Sequence, residues 1–186
     1  MSDCIVEVIN SIPGIENLSY LELGSDQGVN FSNIKCKDKE SVDVNGKATH
    51  TMTTKKFFAQ NKRRFDIVFI DADHSSSAVV QDFNSSIEIC NKYIFLHDMF
   101  PACEEHTAPR CCNDSYRVLH YMVNVRCVNV ATLNTDSGLS FVNSPFTPIE
   151  NLASIYPCNY KEFLGAMKKF KRYTVDEMKD LFKDNV

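Results

Sequence analysis

The sequence predicts an α/β protein: a doubly wound, mostly parallel sheet of about seven strands, with one antiparallel strand from a C-terminal hairpin and a helical C-terminal tail. Three observations carry this. Residues 65–71 (FDIVFID) and 92–98 (KYIFLHD) are near-continuous apolar runs that end in a carboxylate, the pattern of central parallel strands covered on both faces. Between them Val79, Val80, Phe83, Ile87 and Cys90 recur at helical spacing, which supplies the crossover that a parallel pair requires. Residues 126–134 and 139–143 flank Thr135, Asp136, Ser137 and Gly138, a turn-rich tetrapeptide that argues for a hairpin.

In chain order, the first strand is expected over 18–24 (LSYLELG), running into a glycine-bearing turn and a short helix from near Val29. Residues 40–44 and 48–52 are shorter strand candidates. Ser75, Ser76 and Ser77 stand where the crossover helix needs a cap. Pro101 and Pro109 mark 100–110 as a loop over one edge of the sheet, and a helix is expected over 116–122. Beyond Pro148 the pattern turns helical. Tyr160, Phe163, Leu164 and Met167 share one face, the basic cluster 168–172 falls inside the same helical pattern, and Thr174-Val175-Asp176-Glu177 reads as a capping box opening a last helix with Met178, Leu181 and Phe182.

The 186 residues suit one domain, with a core over 18–143 and a tail over 150–186. A net charge of −4 without a dense Lys/Arg block argues against a nucleic-acid partner. No run reaches the roughly 18 to 20 apolar residues of a spanning helix, and residues 1–10 lack the basic start and apolar run of a secretion signal. A cytoplasmic, reducing setting is expected. The eight cysteines are scattered without zinc spacing and read as reduced thiols, Cys111 and Cys112 being the pair a bridge or metal would involve.

Four constellations bear chemistry. In Glu22-Leu23-Gly24-Ser25-Asp26-Gln27-Gly28, glycines let the backbone turn tightly and approach a ligand with no side chain between. A diphosphate-binding turn wants a close glycine pair, absent here, and Asp26 opposes that charge; a zwitterionic sulfonium ligand meets no such penalty, and Glu22 can orient the turn amides or an ammonium. Asp43 follows about 20 residues after the turn, where a ribose acceptor belongs. Asp71-Ala72-Asp73-His74 and His97-Asp98 end adjacent central strands, so Asp71, His97 and Asp98 converge on one crevice. Oxygen and imidazole donors there suit Mg²⁺ or Mn²⁺, and His97 is the favoured general base or ligand. Last, His74, Glu105, His106 and Asp114 are candidates to wall an acceptor pocket, although Asp114 is equally placed as a helix cap.

Read together, YLELGSDQGVNFSNIK, SVDV, TMTTKKFFAQN, FDIVFIDADHSSSAVVQDF, YIFLHDMFPACEEH and NDSYRVL resemble the small class I S-adenosylmethionine-dependent methyltransferases, a Rossmann-like family found near sugar-modifying genes, over roughly residues 18–142. The resemblance implies S-adenosylmethionine as donor and O-methylation of a small-molecule or glycan hydroxyl. It implies Glu22, Gly24 and Gly28 as the donor turn, Asp43 as ribose ligand, Met52 and Thr53 beside the adenine, and Asp71, His97 and Asp98 as cation and acceptor-activating positions. Two segments depart from the family: residues 72–77 lack its glycine and His-Thr-Tyr-Glu-like stretch, and Cys90-Asn91-Lys92 replaces a Gly-Gly turn. A catechol-type metal-dependent enzyme, a non-catalytic donor-binding subunit and an NAD-dependent enzyme remain the rivals, and a homodimer stays open.

Overall fold

The computed structural model describes residues 3–125, 128–134, 137–149 and 158–183. The elements are Asp3–Ile9 (α1), Ser19–Leu23 (β1), Val29–Asn33 (α2), Asp38–Asp43 (β2), His50–Thr51 (β3), Thr54–Gln60 (α3), Phe65–Ile70 (β4), Ser76–Ile89 (α4), Cys90–Leu96 (β5), Tyr116–Asn124 (α5), Ala131–Leu133 (β6), Ser140–Asn143 (β7), Tyr160–Ala166 (α6), Arg172–Tyr173 (β8) and Val175–Lys183 (α7). They form an eight-stranded sheet in the order β3-β2-β1-β4-β5-β7-β6-β8. β1 to β5 run parallel, and β7 is antiparallel to both β5 and β6.

Side-chain alternation divides the core between the two faces of the sheet. Leu21, Leu23, Val68, Ile70, Ile94 and Leu96 join the cluster that holds Val79, Val80 and Phe83 of α4 and Leu119 and Met122 of α5. Tyr20, Ile67, Phe69, Tyr93 and Phe95 point the other way, onto Ile5, Val8 and Ile9 of α1 and Met178 and Phe182 of α7. Phe65 breaks the period, joining the first face although it lies two residues from Ile67. The β4–β5 register shifts between these residues, and such an irregularity re-aims one side chain. β1 lies between β2 and β4, so the crossovers depart in opposite directions from it and leave a crevice beyond the carboxyl ends of β1 and β4.

Several expectations are corrected. The sheet has eight strands rather than about seven, because the tail is not wholly helical: β8 pairs in parallel with β6. The basic cluster 168–172 therefore lies across a short 3-10 turn and β8, not in a helix. Cys90 begins β5 instead of ending the crossover helix. Helices α1 and α3 went unread, and buried Ile5, Val8 and Ile9 extend the core ahead of residue 18. The hairpin strand is short, Ala131–Leu133, while Arg126, Cys127, Thr135 and Asp136 lie outside the described residues. The capping box at Thr174 is present: Glu177 accepts the Thr174 N–H at 2.8 Å, and Thr174 Oγ1 accepts the Glu177 N–H at 3.3 Å. Among the described residues no helix is long and apolar enough to cross a membrane.

Candidate functional site

The turn after β1 is shaped by two left-handed glycines, Gly24 (φ 85) and Gly28 (φ 75). At Gly24 any Cβ would collide with the backbone of Asp71 and Ala72, so the tips of β1 and β4 approach as closely as they do only with glycine there. The Gly24 N–H donates to the Val42 carbonyl at 2.8 Å and the Asp71 N–H to the Leu23 carbonyl at 2.8 Å, which locks the three strand tips together. Asp43, at the end of β2, accepts the Asp26 N–H on Oδ2 at 2.8 Å and the Asn45 N–H on Oδ1 at 2.9 Å. A carboxylate has about four acceptor sites, so these two bonds fix its orientation and leave capacity for a ligand's hydroxyls.

Two cavities meet at this point, sharing Gly24, Asp26 and Asp71. The first, of about 480 Å³, lies towards β2, α3 and α4 and is lined by Asp43, Met52, Thr53 and Asp82 among others. The second, of about 360 Å³, lies towards α1 and α2 and is lined by Ile5, Glu22, Asn30 and His97 among others. Met52, Thr53, Asp43, Gly24 and Asp71 are thus brought to one hollow, and Glu22 and His97 to its neighbour.

Glu22 is 1% exposed and accepts the Tyr20 hydroxyl at 2.7 Å. Burial pushes its carboxyl up to about 7, against the opposing effect of that hydrogen bond. Asp71 is pushed up by burial too, yet hydrogen bonds from His74 and His97 outweigh this and hold it below the ordinary carboxylate range. His97 Nδ1 lies 3.0 Å from Asp71 Oδ1 and 3.5 Å from Asp98 Oδ1. His74 bridges the two acids, Nε2 at 3.3 Å from Asp71 Oδ1 and Nδ1 at 3.1 Å from Asp98 Oδ2, with Nδ1 also 2.6 Å from the Cys111 carbonyl. Burial opposes its protonation, but Asp71, the Cys111 carbonyl and Asp98 prevail and raise it to about 9. Asp98 adopts a left-handed backbone (φ 57), held by the Ser115 hydroxyl donating to its carbonyl at 2.5 Å. Ligand atoms of Asp71, His74 and Asp98 lie within 4.8 Å of one another, a spacing one divalent cation can bridge.

Other expected residues sit elsewhere. His74 and Asp98 line neither cavity, and Gly28 serves the turn, its N–H donating to the Ser25 carbonyl at 2.6 Å. Glu105 and His106 lie on a 3-10 turn over 104–107, Glu105 exposed, and line neither cavity. Asp114 caps a different helix from its own: Oδ1 accepts the Ser76 N–H at 2.6 Å, and Oδ2 accepts the Ser76 hydroxyl at 3.0 Å. Ser75 occupies the N-cap position of α4 without a side-chain cap bond. Cys111 and Cys112 carry free thiols with sulfurs 3.9 Å apart, well beyond a disulfide bond.

Sequence reasoning missed two residues. Asn30 Oδ1 is buried without a hydrogen-bond partner and lines the second cavity. Asp82 is 3% exposed in α4 and lines the first. Its signal was present: an acid one turn from Val79, beside Phe83, in an apolar helical stripe.

No protein-family model matches the sequence, and no curated protein matches it. Solved structures do match in fold. A putative caffeoyl-CoA O-methyltransferase from Staphylococcus aureus superposes with a TM-score of 0.58 at 12% identity, covering 75% of this chain and 82% of that one. A putative O-methyltransferase from Klebsiella pneumoniae gives 0.55 at 11% identity, covering 76% and 80%. An O-methyltransferase from Bacillus cereus, solved in complex with SAH, gives 0.52 at 14% identity, covering 75% and 79%. The chain has the fold of the class I O-methyltransferases.

Proposed function

We propose that this chain is an S-adenosylmethionine-dependent O-methyltransferase, and that its acceptor is a hydroxyl of a sugar or glycan. The observation that carries the reading is the meeting of the Gly24 turn, the Asp43 carboxylate and the Asp71–His97 pair at the one crevice where strand order reverses. The fold neighbours named above support it, one of them having been solved in complex with SAH.

The residues present fit such a donor. Gly24 lines both cavities, and its missing Cβ lets the tip of β4 close against the turn that a donor would lie on. Asp43 would accept the ribose hydroxyls with its remaining lone pairs, and Met52 and Thr53 would flank the base. Asn30 Oδ1, an orphaned acceptor, and Glu22 suit the donor's ammonium group, because a buried acceptor gains most from a charged N–H donor. The donor supplies an activated methyl on a sulfonium together with its own leaving group. The protein's part is to align the acceptor oxygen and receive one proton. His97, oriented by Asp71 at its Nδ1, is the imidazole placed at the crevice to receive that proton. Asp71 and Asp98, with His74 after it gives up its extra proton, would hold Mg²⁺ or Mn²⁺, a cation that would lower the pKa of a bound hydroxyl. The scattered thiols support a reducing, cytoplasmic setting.

Calorimetry with S-adenosylhomocysteine tests the donor half, and a methyl-release assay over monosaccharides and glycosides, with metal varied, tests the acceptor half. The Asp71–His74–Asp98 grouping favours a second reading, a catechol-type metal-dependent enzyme. Strictly Mg²⁺- or Mn²⁺-dependent turnover of a diphenol, with none on sugars, would decide for it. If S-adenosylhomocysteine leaves the melting temperature unchanged at millimolar excess, both readings fail.

A further inference from the structure

The first cavity contains a carboxylate that the donor reading leaves without a task. Asp82 faces it from α4, 3% exposed and surrounded by the apolar stripe of Val79, Val80 and Phe83. Among the described residues the Thr54 hydroxyl is the one group favouring its ionised form, while burial and the charge of Asp73 both act against that form. No cation among the described residues acts on it. A buried carboxylate without a cationic or multiply donating partner is costly, and a fold gains by replacing it unless a ligand supplies the missing donors. Thr54 lines the same cavity, so carboxylate and hydroxyl are presented to one occupant as a paired polar edge. Val44, Met52 and Ala78 provide apolar surface for a flat ring, and Asp43 marks the ribose end.

We infer that Asp82, oriented by Thr54, is the residue that selects an amino-bearing base, its carboxylate accepting a hydrogen bond from the exocyclic amine of a 6-aminopurine. This rests on the donor-binding reading above and adds to it the element of base specificity. A 6-oxopurine would turn an acceptor towards the carboxylate, leaving two buried acceptors opposed. A site built to hydrogen-bond one group rejects the analogue that lacks it more strongly than an apolar pocket rejects a change of size.

The test is isothermal calorimetry of the full chain at pH 8 with S-adenosylhomocysteine and with S-inosylhomocysteine. The unmodified protein is expected to bind the inosyl compound at least about tenfold more weakly. In Asp82→Asn, whose amide also donates, the ratio is expected to fall to about threefold or less. The comparison of two ligands on the unmodified protein needs no variant to fold. Equal affinity for the two compounds overturns the inference while leaving the donor reading intact, and so does full discrimination retained by a folded Asp82→Asn. Failure to bind either compound overturns both.

Discussion

The backbone N–H of Asp26 donates to Oδ2 of Asp43 at 2.8 Å, tying the glycine turn after β1 to the tip of β2. The same carboxylate therefore holds the turn in place and, on the proposed reading, would offer a donor's ribose its acceptors. Asp43→Ala is expected to weaken S-adenosylhomocysteine binding by about two orders of magnitude, since it removes charge-assisted hydrogen bonds and loosens the turn together. Asp43→Asn keeps one acceptor oxygen and is expected to lose less. Calorimetry on both variants checks the order, and equal loss in both would show that charge alone matters.

Asp98 sits in a left-handed backbone conformation that asparagine adopts more readily than most residues, so Asp98→Asn removes the charge with little backbone strain. Because Asp98 lines neither cavity, donor affinity is expected to stay within about twofold while turnover falls by about a hundredfold or more. A methyl-release assay beside calorimetry separates the two effects. Parallel loss of binding and turnover would contradict the assignment of Asp98 to the acceptor side.

The strand tips were legible in the sequence because an apolar run that must be buried on both faces stops at a carboxylate, as at Asp71 and Asp98. The glycine turn was legible for a similar reason, since Gly24 and Gly28 adopt backbone angles few other residues tolerate. His74 was not legible as the bridge between Asp71 and Asp98, because its place depends on a carbonyl 37 residues away, that of Cys111. β8 escaped notice because two residues, Arg172 and Tyr173, carry no alternation to read, and their pairing with Thr132 and Leu133 of β6 is a contact between distant parts of the chain. Asp82 hid inside a helical stripe whose apolar members are what periodicity detects.

Asp114 stabilises the start of α4 from a distant part of the chain. Its two oxygens accept the Ser76 N–H and hydroxyl, and Oδ2 also lies 3.1 Å from Arg117 Nη1. Asp114→Ala is expected to lower unfolding stability by about 1 to 2 kcal/mol, the usual loss for a side-chain cap. Since Asp114 lines neither cavity, S-adenosylhomocysteine affinity is expected to hold. Urea denaturation and calorimetry together read this, and a variant of unchanged stability that loses turnover would instead return Asp114 to the acceptor pocket.

Burial raises the carboxyl of Asp82 to about 6 and that of Glu22 to about 7, both above the values they have in an unfolded chain. Each therefore binds its proton more tightly in the folded state. The stabilisation from that proton is complete below about pH 4 and is lost as pH rises through about 6 for Asp82 and about 7 for Glu22. Asp71 works in the opposite sense, its stabilisation being lost as pH falls, so the expected signal is the difference between a variant and the unmodified protein. Asp82→Asn should be more stable than the unmodified protein at pH 8, by on the order of 2 kcal/mol, with the gap narrowing through pH 6 and closing near pH 4. Urea denaturation at pH 8, 6 and 4.5 reads the narrowing. A gap that does not change with pH would mean that Asp82 titrates alike in the folded and unfolded chain. A gain in stability coupled to loss of base discrimination is the pattern of a side chain kept for its ligand at the fold's expense.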